Sequence, residues 1–135
     1  GTDTKTRKLA SFAFARAGGM KIGSEKFQND PPAHPRDLLR HSFGIVVSQE
    51  KPVDVVLEFD PKVVQRVKES VWHAGQRIED LPGGRLRLVL PLNSTLEVSP
   101  WILSWGPYVR VVAPDALRES IADSVRRMAA NYSEV

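Results

Sequence analysis

Val53-Asp54-Val55-Val56-Leu57-Glu58-Phe59-Asp60-Pro61 changes character halfway along, and the change decides how the chain is read. Val53, Val55, Leu57 and Phe59 fall on one face of an extended chain and Asp54, Val56 and Glu58 on the other, the period of a strand with one buried face. Asp60 is a good helix cap, and Pro61 suits the first helical position. Val63, Val64, Val67 and Val71 then recur at helical spacing, which predicts a helix lasting until Gly75.

Downstream, Ile78 and Leu81 end a second strand, Pro82-Gly83-Gly84 makes a turn, and Leu86, Leu88, Leu90 and Leu92 mark one face of a third. Arg85, Arg87 and Val89 point the other way. Pro100-Trp101-Ile102-Leu103-Ser104-Trp105-Gly106-Pro107 then holds two of the three tryptophans between two prolines. Ser99 is placed to cap a short helix, Pro100 to open it, Gly106 to take the left-handed position after it and Pro107 to stop it. Trp101 and Trp105, four apart, share a face. Tyr108 to Val112 supplies a fourth strand, and Asp115 caps a last helix with Leu117, Ile121, Val125, Met128 and Tyr132 along one side.

The order is βαββαβ plus a helix, the split βαβ arrangement of an α+β, ferredoxin-like domain. That topology puts the first strand between the third and the fourth, with the second outside the third. The face away from the helices then shows Asp54, Val56 and Glu58 between Arg85, Arg87 and Val89 on one side and Arg110 and Val112 on the other. Acid between two basic strands reads either as cross-strand ion pairing or, with three valines beside it, as a self-complementary surface for a two-fold homodimer. The dimer is favoured, because an uncovered sheet face is usually more polar than this one.

Upstream the pattern is less regular. Leu9 to Phe14 reads as a strand with Phe12 and Phe14 on one face, and Met20 to Ile22 as a second after the Gly18-Gly19 turn. Two strands alone are marginal and need a partner. Gln28 to Pro35 holds three of the ten prolines and reads as a linker. Arg36 to Phe43 suggests a short helix burying Leu38, Leu39 and Phe43 and closed by Gly44.

Charge divides the chain in the same place. Residues 1–51 carry nine Lys and Arg against five Asp and Glu, whereas residues 52–135 carry ten against eleven. Lys5, Arg7, Lys8, Arg16, Lys21 and Lys26 form a cluster that suits either solvent or an anionic ligand such as a phosphate backbone. At 135 residues with 41% hydrophobic content, one complete core is expected. No apolar run approaches the roughly 20 residues of a membrane span. The absence of cysteine removes disulfides and thiolate metal sites, and with no secretory leader the cytoplasm is the default.

Catalytic patterns are missing. His34, His41 and His73 match no metal spacing, and there is no phosphate loop, nucleophile elbow or His-Glu-x-x-His helix. The expectation is a protein that is not an enzyme and takes no metal or cofactor. His73, beside Trp72 near the predicted helix end, reads as a dipole-stabilised histidine or, with Gln76 and Arg77, as an interface residue. Trp72, Trp101 and Trp105 read as core, with base stacking by Trp101 or Trp105 the other reading.

Phe59-Asp60-Pro61, Val71-Trp72-His73, Gln76-Arg77-Ile78-Glu79 and the tryptophan segment together resemble the C-terminal extension (WCX) of WYL-domain bacterial transcription regulators, from about Val53 to Tyr132. Ser11-Phe12-Ala13-Phe14-Ala15-Arg16 and Glu25-Lys26-Phe27 resemble the closing strands of the WYL domain, with Ala15 and Ala17 where that family has Asp and Ile. The resemblance implies residues 1–27 as the last strands of an Sm-like WYL β-barrel, 28–51 as a linker with a short helix and 52–135 as the WCX domain. It also implies Arg16 as an effector contact, in keeping with a guanidinium's fit to phosphate and bases. Arg7, Lys8 and Lys21 would add phosphate contacts.

The function this implies is the effector-sensing and dimerisation region of a regulator that responds to single-stranded DNA, duplex DNA being read by an N-terminal domain outside this sequence. The alternatives are a purely structural dimerisation module and a regulatory domain for a small anionic metabolite. The expected dimer contacts are His73, Gln76, Arg77, Val56, Arg87, Val89 and Arg110.

Overall fold

The computed structural model describes residues 3, 5–8, 14–24, 26, 35–46, 48 and 50–133. Helix α1 (Pro35–Leu38) precedes strand β1 (Val53–Phe59), helix α2 (Val64–Lys68), strands β2 (Arg77–Leu81) and β3 (Arg85–Leu92), helix α3 (Val98–Ser104), strand β4 (Val109–Ala113) and helix α4 (Asp115–Ala130). The strands form one antiparallel sheet in the order β2-β3-β1-β4. These are the neighbours expected from the sequence, and the α+β class follows directly.

Alternation explains the core. Val55, Leu57 and Phe59 of β1 and Leu86, Leu88, Leu90 and Leu92 of β3 are fully buried, and Val67, Val98, Ile102, Val111 and Leu117 pack against the same face. Trp101 is the hub of an aromatic cluster: its ring centroid lies 5.1 Å from Phe43, 6.2 Å from Phe59, 4.9 Å from Trp72 and 5.8 Å from Trp105. The tilted and edge-on geometries are those aromatic pairs favour. Trp105 is buried in the core and Trp72 and Trp101 pack against it partly buried, in keeping with the core reading, and Arg66 lies over the Trp105 ring at 4.8 Å.

Several local expectations are corrected. The helix predicted to reach Gly75 ends at Lys68, leaving Val71 exposed. Continuation would direct the Val71 N–H to the Val67 carbonyl, but the Trp72 indole N–H donates to that oxygen at 3.0 Å. Drawing Trp72 into the aromatic cluster therefore competes with the next turn.

Ser99 is not the cap of α3. That helix starts at Val98 with Glu97 at the cap position, and the Ser99 hydroxyl donates to the Thr95 carbonyl. Gly106 does take the left-handed conformation after α3, at φ 58°. Asp115 is the first residue of α4 and not its cap, and it pairs with Arg118 at 2.9 Å. Of the predicted α4 stripe, Leu117 and Ile121 pack on the core, while Val125, Met128 and Tyr132 are exposed because the helix runs past its contacts with the sheet.

In the N-terminal part, residues 9–13 of the first predicted strand and 28–34 of the linker lie outside the described residues. Phe14–Arg16 forms a 3-10 turn, and Met20–Ile22 joins no sheet, with Met20 and Ile22 exposed. So short a segment has only its neighbours' backbone to stabilise it as a strand, and it has no ladder among the described residues.

Candidate functional site

The open face of the sheet is divided along its strands. One half carries an apolar strip, with Val56 opposite Val89 and Ala113 and with Pro91 opposite Asp54, whose carboxylate is paired with Arg77. The other half is charged and centred on Glu58, whose Cα pairs with Arg87 on one side and Arg110 on the other. Strand period brings the odd-numbered arginines of β3 beside residues 54, 56 and 58, which share a face. On the other side a register shift between Val56 and Leu57 places Ala113 opposite Val56, where alternation predicts Val112.

Three guanidiniums converge on Glu58. Arg87 Nη2 donates to Oε1 at 2.9 Å, and Arg110 Nη2 and Arg85 Nη1 donate to Oε2 at 2.6 and 3.4 Å. Arg87 also reaches Glu79 at 2.9 Å, and Arg77 meets Asp54 at 2.6 Å. Glu58 is only 8% exposed, and its carboxyl is held below the usual carboxylate range, first by the bond from Arg87 and then by Arg110. Burial pushes the other way and is overridden. The same bond raises the Arg87 guanidinium further above its already high value. The cross-strand ion pairing expected from sequence is present, but concentrated on one acid.

At the charged end a hollow of about 160 Å³ is bounded by Glu58, Phe59, Asp60, Arg85, Tyr108 and Arg110. Tyr108 forms part of its wall, with the Lys62 ammonium 5.9 Å from the ring centroid.

Residues 41–46 and 48 do not behave as a free linker. The Glu97 carboxylate accepts the backbone N–H groups of Gly44, Ile45 and Val46 at 2.9, 2.9 and 3.1 Å, a nest of successive amides around one anion. Asn93 adds a backbone donation to the His41 carbonyl at 3.0 Å and a side-chain donation to the Ser48 carbonyl at 2.8 Å. Phe43 seats on Trp101. A Cβ at position 44 would stand 2.6 Å from Glu97 Oε1, so any other residue here requires the carboxylate to shift. Sequence reasoning missed Glu97. Its one visible sign is an acid immediately before the Val98-Ser99-Pro100 helix start, where a capping side chain is expected and a different task is found.

His73 and Gln76 are structural in this arrangement. The helix-end role expected for His73 is corrected, since α2 stops five residues earlier. The imidazole is buried, Nδ1 accepts the Gly75 N–H at 3.0 Å, and burial pushes its pKa below the ordinary value, with neighbouring His41 adding to the effect and the Arg40 carbonyl opposing it. Gln76 Oε1 accepts the N–H groups of Trp72 and His73 at 2.7 and 3.1 Å and so holds the loop after α2. Beside this loop a groove of about 740 Å³ is lined by Arg40, Val71, Trp72 and His73 among others.

The basic N-terminal residues are exposed. Arg7 and Lys8 sit in a turn closed by the Asp3 backbone, whose N–H donates to the Lys8 carbonyl at 2.9 Å and whose carbonyl accepts from the Arg7 N–H at 2.8 Å. The Asp3 carboxylate accepts the N–H groups of Lys5 and Thr6, which lower its pKa. Arg16 ends the 3-10 turn and Lys21 follows in extended chain. Among the described residues no hydrogen bond or ion pair joins Arg16 or Lys21 to the Arg7-Lys8 turn. Nor do the described residues hold a group of three or more His, Asp or Glu placed to bind a metal, and no helix is long and apolar enough to cross a membrane.

The sequence model of the WCX domain matches residues 51–129, more than half of the chain. The chain belongs to the WCX family, the C-terminal extension associated with WYL domains. No curated protein matches it.

Proposed function

We propose that this chain is the effector-sensing and dimerisation region of a WYL-type bacterial transcription regulator, non-catalytic and cytoplasmic, with duplex DNA read by a domain outside these residues. The observation that carries the reading is the WCX match, which begins where the basic N-terminal segment ends. The βαββαβ order and the β2-β3-β1-β4 sheet support a ferredoxin-like arrangement for the WCX part. Val56, Val89 and Pro91 on the open face offer the apolar strip against which a second copy would pack. Single-stranded DNA would engage Arg16, with Arg7, Lys8 and Lys21 on its phosphates. Its preference for one arrangement of the two subunits would then shift the dimer.

Titration of labelled single-stranded DNA at two salt concentrations tests the effector. Salt-sensitive binding lost in Arg16→Ala is the expected result, and binding unchanged by that substitution, or none at low salt, removes nucleic acid from the reading. Solution mass tests the dimer: a monomer at micromolar concentration rejects it.

A further inference from the structure

The charged end of the open face carries more positive charge than Glu58 uses. Both Glu58 oxygens are engaged, and Arg85 and Arg110 share Oε2. Arg87, on Oε1, is itself divided with Glu79. Asp60, the other acid on the rim, turns back to its own backbone, its carboxylate accepting the Lys62 N–H at 2.9 Å. Each guanidinium has five N–H donors. Arg110 gives one to Glu58, and Arg85 gives one to Glu58 and one to the Pro82 carbonyl at 3.5 Å. The Arg85 and Arg110 side chains remain 48% and 70% exposed on opposite sides of the hollow, with Lys62 near Tyr108 as a third cation.

We infer that this hollow binds a phosphate group. Two converging guanidiniums with donors to spare form the fork that fits phosphate oxygens, and the concavity presents them from two sides. Its volume of about 160 Å³ lies well below the roughly 300 Å³ at which whole-ligand pockets begin. The site therefore takes the phosphate alone and leaves the rest of the ligand outside. That remainder is either a phosphorylated small molecule or a nucleic-acid backbone. The apolar half of the face is left free for a second copy. Arg16 is not among the residues that line the hollow, so the two contacts can be tested by separate substitutions.

Side-chain Nε–Hε resonances of the full chain are followed during titration with pyrophosphate, adenosine monophosphate and a short oligothymidylate. Saturable shifts of the Arg85 and Arg110 resonances are expected. Removing either guanidinium, in Arg85→Ala or Arg110→Ala, is expected to weaken pyrophosphate binding roughly tenfold, while Arg77→Ala, at the far end of the face, leaves it unchanged. Glu58 keeps Arg87 in both variants, and the sheet amide spectrum reports their fold. Should Arg110→Ala unfold, Arg110→Lys is read instead, with the charge kept, the fork lost and an intermediate affinity. Tighter oligothymidylate binding displaced by pyrophosphate assigns the phosphate to a nucleic-acid backbone. Binding of the two small phosphates alone assigns it to a small molecule. No saturable shift with any probe, or equal weakening in Arg77→Ala, overturns the site.

Discussion

Glu97 and Gly44, 53 positions apart in sequence, are joined by a 2.9 Å bond from the Gly44 N–H to the Glu97 carboxylate, and the same carboxylate holds the next two amides. The segment before the WCX domain is thereby strapped to the start of α3. In Gly44→Ala the new methyl group would stand 2.6 Å from Glu97 Oε1, so the carboxylate has to shift and give up part of its bonding to the three amides. A loss of about 1–2 kcal/mol is expected, with faster hydrogen exchange at amides 44–46 and little change in the central strands. Glu97→Gln, which keeps an acceptor without the charge, should lose less. Unchanged exchange in Gly44→Ala would show that the strap does not depend on this bond.

Glu58 neutralises a ring of arginines from a nearly buried position, so removing it leaves like charges facing one another. Glu58→Ala is expected to destabilise by about 1–3 kcal/mol, less than the about 3–5 kcal/mol of a fully buried pair, because the arginines keep contact with water. That is several degrees in Tm for a domain of this size. Glu58→Gln should fall between the two, and high salt should narrow the gap by screening the arginines.

Two groups give stability a slope with pH in the same direction and in different windows. His73 is held below its ordinary 6.5 by burial, so between its folded value and 6.5 the unfolded chain binds more protons and stability falls as pH falls. Glu58 is held below its ordinary 4.5, so its contribution is present above 4.5 and lost as pH drops through its lower folded value. Denaturation midpoints should therefore decline first below about pH 6.5 and again below about pH 4.5. His73→Gln should flatten the first decline and leave the second. A profile flat from pH 7 to 5 would contradict the buried neutral imidazole.

Trp101 joins Phe43 of the strap to Phe59 of β1 and to both other tryptophans. Trp101→Ala is expected to cost about 3–5 kcal/mol, to remove most of the near-ultraviolet circular dichroism and to loosen residues 43–46 along with the core. Preserved near-ultraviolet signal would argue against the cluster.

Val71 belongs to the apolar series Val63, Val64, Val67 that the sequence presents as one helical face, yet it is 81% exposed. Val71→Asp should change stability by less than about 0.5 kcal/mol. A large loss would mean that the helix does continue past Lys68.

The alternating strands, the turn glycines and the order of elements were all legible in the chain, because a strand's period of two and a turn's demand for glycine act over a few residues. So was the meeting of Glu58 with Arg87 and Arg110, once strand order was assigned, since register follows from alternation. What only the tertiary structure decided was where local rules yield to distant partners. The Trp72 indole takes the Val67 carbonyl, and α2 ends early. Glu97 leaves its helix cap for a nest of amides more than fifty residues upstream. Each of these positions obeys its local propensity about as well in either arrangement. The choice falls to packing of large aromatic surfaces and to satisfaction of a carboxylate, both of which need groups that sequence neighbours do not supply.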